Sequence, residues 1–206
     1  MQQRIDRRRL LVGLIAAATL TARAQTTPPF ALEQLMQLLG QVKTGEASFV
    51  EKRYVSMLER TLESSGKLTF EAPDSFMRET LKPRQERMAV VGNMVTMSIG
   101  SRSRTVPLDS VPEAAVIFEA IRGTLTGNRA ALERHFAPTV SGAPARWTLE
   151  LVPLMPRLRE LVMSLRVSGQ QAYVREVVVA MADGDRSVMT ITPVISSDSA
   201  ASAPAR

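Results

Sequence analysis

The 206-residue chain contains no cysteine and one histidine. The first absence excludes disulfides, thiolate metal sites, cysteine nucleophiles and iron–sulfur ligation. The second excludes a multi-histidine metal centre and leaves His135 as the only imidazole for general base work. Aromatic residues make up 4% of the chain, with one Trp and two Tyr. That is poor equipment for stacking bases, so a nucleic-acid partner is not expected. No glycine-flanked nucleophile elbow occurs. Gly123-Thr124-Leu125-Thr126-Gly127 lacks the lysine that would complete a phosphate loop. No long apolar run suited to a transmembrane helix occurs either.

The formal charge is +6, but it is unevenly placed. Arg4, Arg7, Arg8, Arg9 and Arg23 lie in the first 24 residues against Asp6 alone, and the remainder is close to balanced. The basic start is followed by an apolar run from Leu10 to Leu20 and by Ala22-Arg23-Ala24. This is the layout of a cleaved secretory signal, too short to span a bilayer. Residues 1–24 are therefore read as a signal peptide cut after Ala24. Arg7-Arg8 before Leu10-Leu11 also resembles a twin-arginine signal, so the export route stays open. The expected location is the periplasm. Residues 25–29 read as a linker, 30–195 as the folded domain, and the Ser/Ala/Pro-rich 196–206 as a disordered tail.

Within the domain, Phe30, Ala31, Leu35, Leu38, Leu39 and Val42 recur at helical spacing. The texture then changes to short alternating segments at 46–58, 66–71, 75–82, 85–91, 94–99 and 103–108. Ser64-Ser65-Gly66, Pro73-Asp74, Pro83 and Gly92-Asn93 punctuate them. Gly92-Asn93 suits a two-residue hairpin turn. Helices are expected at 112–123, with Pro112 in the first turn, and at 129–136. Pro138, Gly142 and Pro144 mark 137–145 as a loop. Strands resume at 146–152, 161–168, 171–182 and 186–192. Connections this short permit only antiparallel pairing. The expected class is mainly β, with about ten to eleven strands, each with one apolar and one polar face. Such a sheet must cover its apolar face by closing or by laying helices on it.

Catalytic constellations are weak. His135 falls at a predicted helix end, where the dipole explains it. Asp183 and Asp185 around Gly184 are turn chemistry. Neither a catalytic role nor a cofactor or metal is expected. More telling are the methionines. Met94, Met97, Met163, Met181 and Met189 fall on strand faces, and unbranched thioethers repack around flexible apolar ligands. Arg78, Arg87, Arg102 and Arg104 lie among the strands. They serve either as solvated positions or as a basic mouth for an anionic group. Periodicity does not distinguish a filled core from a lined cavity.

Read in order, several stretches resemble the periplasmic outer-membrane lipoprotein carrier family (LolA-like). They are the helix at 30–42, Ala47-Ser48-Phe49-Val50-Glu51, and Ser65-Gly66-Lys67-Leu68-Thr69-Phe70 running into Ala72-Pro73-Asp74. Glu79-Thr80-Leu81-Lys82-Pro83 and the Gly92-Asn93 hairpin follow. Trp147 to Pro153 and Asp183-Gly184-Asp185-Arg186-Ser187 look most like a divergent subgroup. The resemblance implies a strongly curved, incompletely closed antiparallel barrel with helices as a lid over an apolar cavity. It also implies a monomeric carrier that binds acyl chains of lipoproteins or other lipids. An inner-membrane transporter would be the donor and an outer-membrane protein the acceptor. A lipid-sensing or protein-interaction module of the same fold is the alternative. Where well-known carriers have an Arg before the proline, this chain has Ala72. The expected cavity wall is Leu68, Phe70, Val95, Met97, Trp147, Leu149, Leu151, Met163 and Leu165. The expected lid includes Leu35, Leu38 and Leu39. On this reading Leu149→Glu abolishes cargo retention with modest loss of folding.

Overall fold

A computed structural model describes residues 30–58 and 60–194. The expected signal peptide, the linker at 25–29 and the tail at 196–206 lie outside the described residues. Eleven antiparallel strands form one curved, unclosed sheet in the order β6-β5-β4-β3-β2-β1-β11-β10-β9-β8-β7. In chain order they are β1 Thr44–Val55, β2 Arg60–Glu71, β3 Ser75–Lys82, β4 Glu86–Val91, β5 Met94–Ile99 and β6 Arg102–Pro107. After the helices come β7 Phe136–Ala143, β8 Arg146–Pro153, β9 Val162–Gln170, β10 Tyr173–Met181 and β11 Arg186–Pro193. Helix α1 spans Leu32–Leu39, α2 Pro112–Leu125, α3 Arg129–His135 and α4 Pro156–Arg159.

The sheet is two meanders, β1–β6 and β7–β11, joined where β1 pairs with β11. One consequence decides the architecture. The chain leaves β6 at one edge and must start β7 at the other. The helices α2 and α3 make that traverse, and they cover the concave face as they go. Local chemistry supports each step. Gly92, with φ of +57°, and Asn93 turn β4 into β5. Pro112 opens α2, where no backbone donor is needed. Asn128 caps α3 by accepting from the Ala131 N–H at 3.0 Å.

Two strand readings change. The loop expected at 137–145 is mostly β7, paired with β8 through Pro138 opposite Leu151. An edge strand has a free side on which a proline's missing N–H costs nothing, and Gly142 takes φ of +97°. Ser64-Ser65-Gly66, read as punctuation, lies inside β2, where a register shift at Ser65/Gly66 absorbs the irregularity. Gly66 is needed there, since a Cβ would meet the Glu79 carbonyl oxygen at 1.9 Å.

The packed core is concentrated under β7–β10. Leu35, Met36 and Leu39 of α1, Val116 and Ala120 of α2 and Leu132 of α3 pack there. They meet Trp147, Leu149, Leu151, Val162, Leu165 and Val167. The indole N–H of Trp147 donates to the Gln171 carbonyl at 2.8 Å, so its burial leaves no polar group unpaired. A smaller cluster, Val90, Val95, Leu108 and Phe118, lies under β4–β5. Phe118 of α2 meets Phe76 of β3 edge-on at 6.4 Å.

Candidate binding cavity

Between the two clusters the concave face is not filled. A cavity of about 460 Å³ remains, partly open to solvent. That volume is in the range of sites for small organic ligands, roughly 300–1,000 Å³. Its floor is formed by Ala47 and Glu51 of β1, Leu68 and Phe70 of β2, Phe76 and Arg78 of β3, and Met88 and Val90 of β4. Beyond these lie Met189 and Ile191 of β11 and Val177, Val179 and Met181 of β10. Ala114, Ile117, Phe118, Ile121 and Leu125 of α2 form the roof. These five positions follow the three-and-four spacing of one helical face. The helix therefore turns an apolar stripe towards a space it does not fill.

The sequence-predicted wall residues separate into three groups. Leu68, Phe70 and Val95 line the cavity. Trp147, Leu149, Leu151 and Leu165 do not; each is at most 1% exposed in the packed cluster beneath α1 and α3. They alternate as a cavity wall would, but the helices fill the space above them. Met97 and Met163 are surface residues, 41% and 57% exposed. Met97 shares a cross-strand row with Arg78, Met88 and Arg104. It lies on the same face as the cavity, past the part that α2 covers. Met163 is turned outward by a register shift between β9 and β10, which pairs Met181 with Val162.

The lid assignment also moves. Leu35 and Leu39 are buried in the packed cluster and Leu38 is half-buried. The contacts of α1 are with α2, α3 and β7. It seals the filled half, and α2 alone supplies the cavity roof. The α2 lining had a legible signal in the helical spacing of Ile117, Ile121 and Leu125. Met88, Met181 and Met189 line the cavity; Met88 was not singled out in the sequence.

The cavity has one polar end. Glu51 accepts from the guanidinium of Arg78, from the hydroxyl of Ser187, and from the Ser64 hydroxyl at 3.3 Å. Burial alone would push the Glu51 carboxyl up. The Arg78 charge and these hydrogen bonds outweigh burial and hold it below its ordinary value. Arg78 also lies over the Phe49 ring, 4.6 Å from its centroid. Nearby, Asp185 accepts from the Ser56 N–H and from Arg53, both at 3.0 Å. The backbone bond first, then Arg53, holds the Asp185 carboxyl low. That carboxylate ties the end of β1 to the β10–β11 turn. Arg87 donates to the Met77 sulfur, and Arg102 and Arg104 are exposed.

A family model described as outer membrane lipoprotein carrier protein LolA-like matches residues 24–205. The chain belongs to this family. No curated protein matches the sequence. Among solved structures, a LolA superfamily protein from Nitrosomonas europaea is similar at 8% identity and a TM-score of 0.44. The match covers 79% of this chain and 92% of that one. LprF from Mycobacterium bovis is similar at 12% identity and a TM-score of 0.36, with 78% and 91% covered. A chain of the MucA/MucB complex of Pseudomonas aeruginosa gives 10% identity and a TM-score of 0.43, with 82% and 59% covered. No helix among the described residues is long and apolar enough to cross a membrane. Among the described residues, no cluster of His, Asp or Glu is placed to hold a metal ion.

Proposed function

We propose that this LolA-like protein is a soluble periplasmic carrier that takes acyl chains of lipoproteins or other lipids into its cavity. It would receive them from an inner-membrane transporter and pass them to an outer-membrane acceptor. The observation that carries the reading is the unfilled apolar space between α2 and the concave face. A protein with no use for that space gains by collapsing α2 onto the sheet. Here the first half of the sheet is left lined instead of packed. The physical need is clear. An acyl chain of roughly sixteen carbons loses on the order of 12 kcal/mol if exposed to water, at about 0.8 kcal/mol per CH₂. A carrier must therefore wrap it. No catalytic step is invoked. His135 ends α3 and is not among the residues lining the cavity.

The test is native mass spectrometry of protein purified from the periplasm, followed by solvent extraction. A bound acyl lipid or lipoprotein supports the carrier reading and names the cargo. Protein that is empty, and that fails to take up a fluorescent fatty acid, would sink it. An interaction module of the same fold would then take its place.

A further inference from the structure

We propose that Arg78 grips the carbonyl of an acyl ester or amide inside the cavity, and that the site disfavours an anionic head group. This rests on the carrier reading and adds the chemical class of the ligand. The guanidinium of Arg78 has five N–H groups. Two, on Nη2, are spent on Glu51 and on Ser64, the latter at 3.2 Å. The three on Nε and Nη1 have no acceptor among the described residues. The group is not loose. It is paired with Glu51, sits over the Phe49 ring, and its side chain is 24% exposed. Fixed donors bordering an apolar cavity are the usual means of orienting a ligand's acceptor.

Charge decides what kind of acceptor fits. Arg78 is balanced by Glu51, and Arg53 by Asp185. Beyond these pairs, the lining adds one carboxylate, Glu113 of α2, since Glu46 and Arg186 alternate onto the other face of the sheet. The wall is net negative. A carboxylate or phosphate entering here would meet an already neutralised Arg78, with the Glu51 carboxylate beside it. A carbonyl dipole takes the same N–H groups without that repulsion. The apolar floor and roof beyond Arg78 then receive the chain.

The experiment compares three probes of matched length on delipidated protein: methyl palmitate, palmitate and hexadecane. Binding is read as displacement of an apolar fluorescent dye. The ester is expected to bind about tenfold tighter than the alkane, the scale of one hydrogen bond to a charged group, and tighter than palmitate. The paired replacement of Glu51→Leu with Arg78→Met removes both charges together. It should abolish the ester preference and leave alkane binding within about threefold. Arg78→Lys keeps the pair but lacks the planar fork. It should lower the ester preference, and it carries the test if the double variant does not fold. Palmitate binding tighter than the ester, or an ester preference that survives these changes, overturns the proposal while sparing the carrier reading. Binding of no probe overturns both. The ester has two sources, so dipalmitoylglycerol and a tripalmitoylated cysteinyl peptide are compared as well. Loss of affinity in the double variant is expected for whichever binds, and an undiminished affinity for both contradicts the assignment.

Discussion

Leu149 in β8 and Leu68 in β2 occupy the same kind of position, an inward residue of an alternating strand. Leu149 is fully buried beneath two helices, whereas Leu68 faces a cavity. Their halves of the sheet differ in the same way. Over β7–β10, three helices deliver apolar side chains into the space above the strands, leucines from α1 and α3 and Val116 and Ala120 from α2. Over β1–β5, α2 delivers a single apolar stripe. The difference lies in how much helix crosses each half, which topology sets. It teaches that alternation marks a face for burial without saying what will bury it.

The sharpest way to break this comparison is Leu149→Glu. A carboxylate placed there has no partner and no route to water, so a loss of about 4 kcal/mol or more is expected. Urea denaturation should show a protein largely unfolded. This reverses the expectation from the sequence that folding would suffer little. A stable Leu149→Glu protein with impaired lipid retention would show that the filled half opens too.

Two glycines give a matched pair of smaller effect. A Cβ on Gly169 would meet the Trp147 ring at 2.2 Å, whereas one on Gly45 would meet nothing within 4 Å. Gly169→Ala should cost about 1–3 kcal/mol through overpacking. Gly45→Ala should change stability by less than about 0.5 kcal/mol. Equal costs at the two sites would mean that the Trp147 ring is not packed tightly against β9 at Gly169.

Much of this was legible in the sequence. The hairpin at Gly92-Asn93, the Pro112 helix start and most strands follow from local rules. Strand β7 was hidden because Pro138 argues against a strand unless its edge position is known. The wall at Trp147, Leu149, Leu151 and Leu165 was misplaced for the reason given above. What lies opposite a strand is set by a connection that local pattern does not encode. The inward turn of Met163 failed for a smaller cause, one extra residue in β9 that reverses the alternation. Arg78 was visible in the sequence as a solvated position or as part of a basic mouth with Arg87, Arg102 and Arg104, but not as the partner of Glu51. Its partners Glu51 and Ser64, and Ser187, which donates to Glu51, come from three other strands.

On the hollow side, function should be separable from folding. Ile121 lies half-buried in the roof. Ile121→Ser deletes apolar contact without opening a new void in packed protein. The cost to stability should be about 1 kcal/mol, while acyl-probe affinity falls roughly tenfold. Denaturation and dye displacement on the same preparation give the two numbers. A change in stability with no change in affinity would place the ligand elsewhere.

The smallest effect concerns acid, and it again falls on one half. Glu51 and Asp185, whose carboxyls are held low, both border the cavity on β1 and the start of β11. A carboxyl with a depressed folded pKa adds stability that is fully present above its unfolded value. That stability is lost as pH falls through the folded one. For Glu51 the loss begins below its ordinary 4.5, and for Asp185 below 3.8. Acid should therefore loosen β1–β3 and β11 before it reaches β7–β9, whose packing rests on apolar contacts. Amide exchange at successively lower pH should show protection falling first around Glu51. In Glu51→Gln the neutral amide keeps hydrogen bonds but not the charge. Stability at neutral pH should drop, and the pH dependence just below 4.5 should flatten. A uniform loss of protection across both halves would mean that the cavity wall and the packed core melt as one unit. The hollow half would then lack the independent looseness that loading and release require.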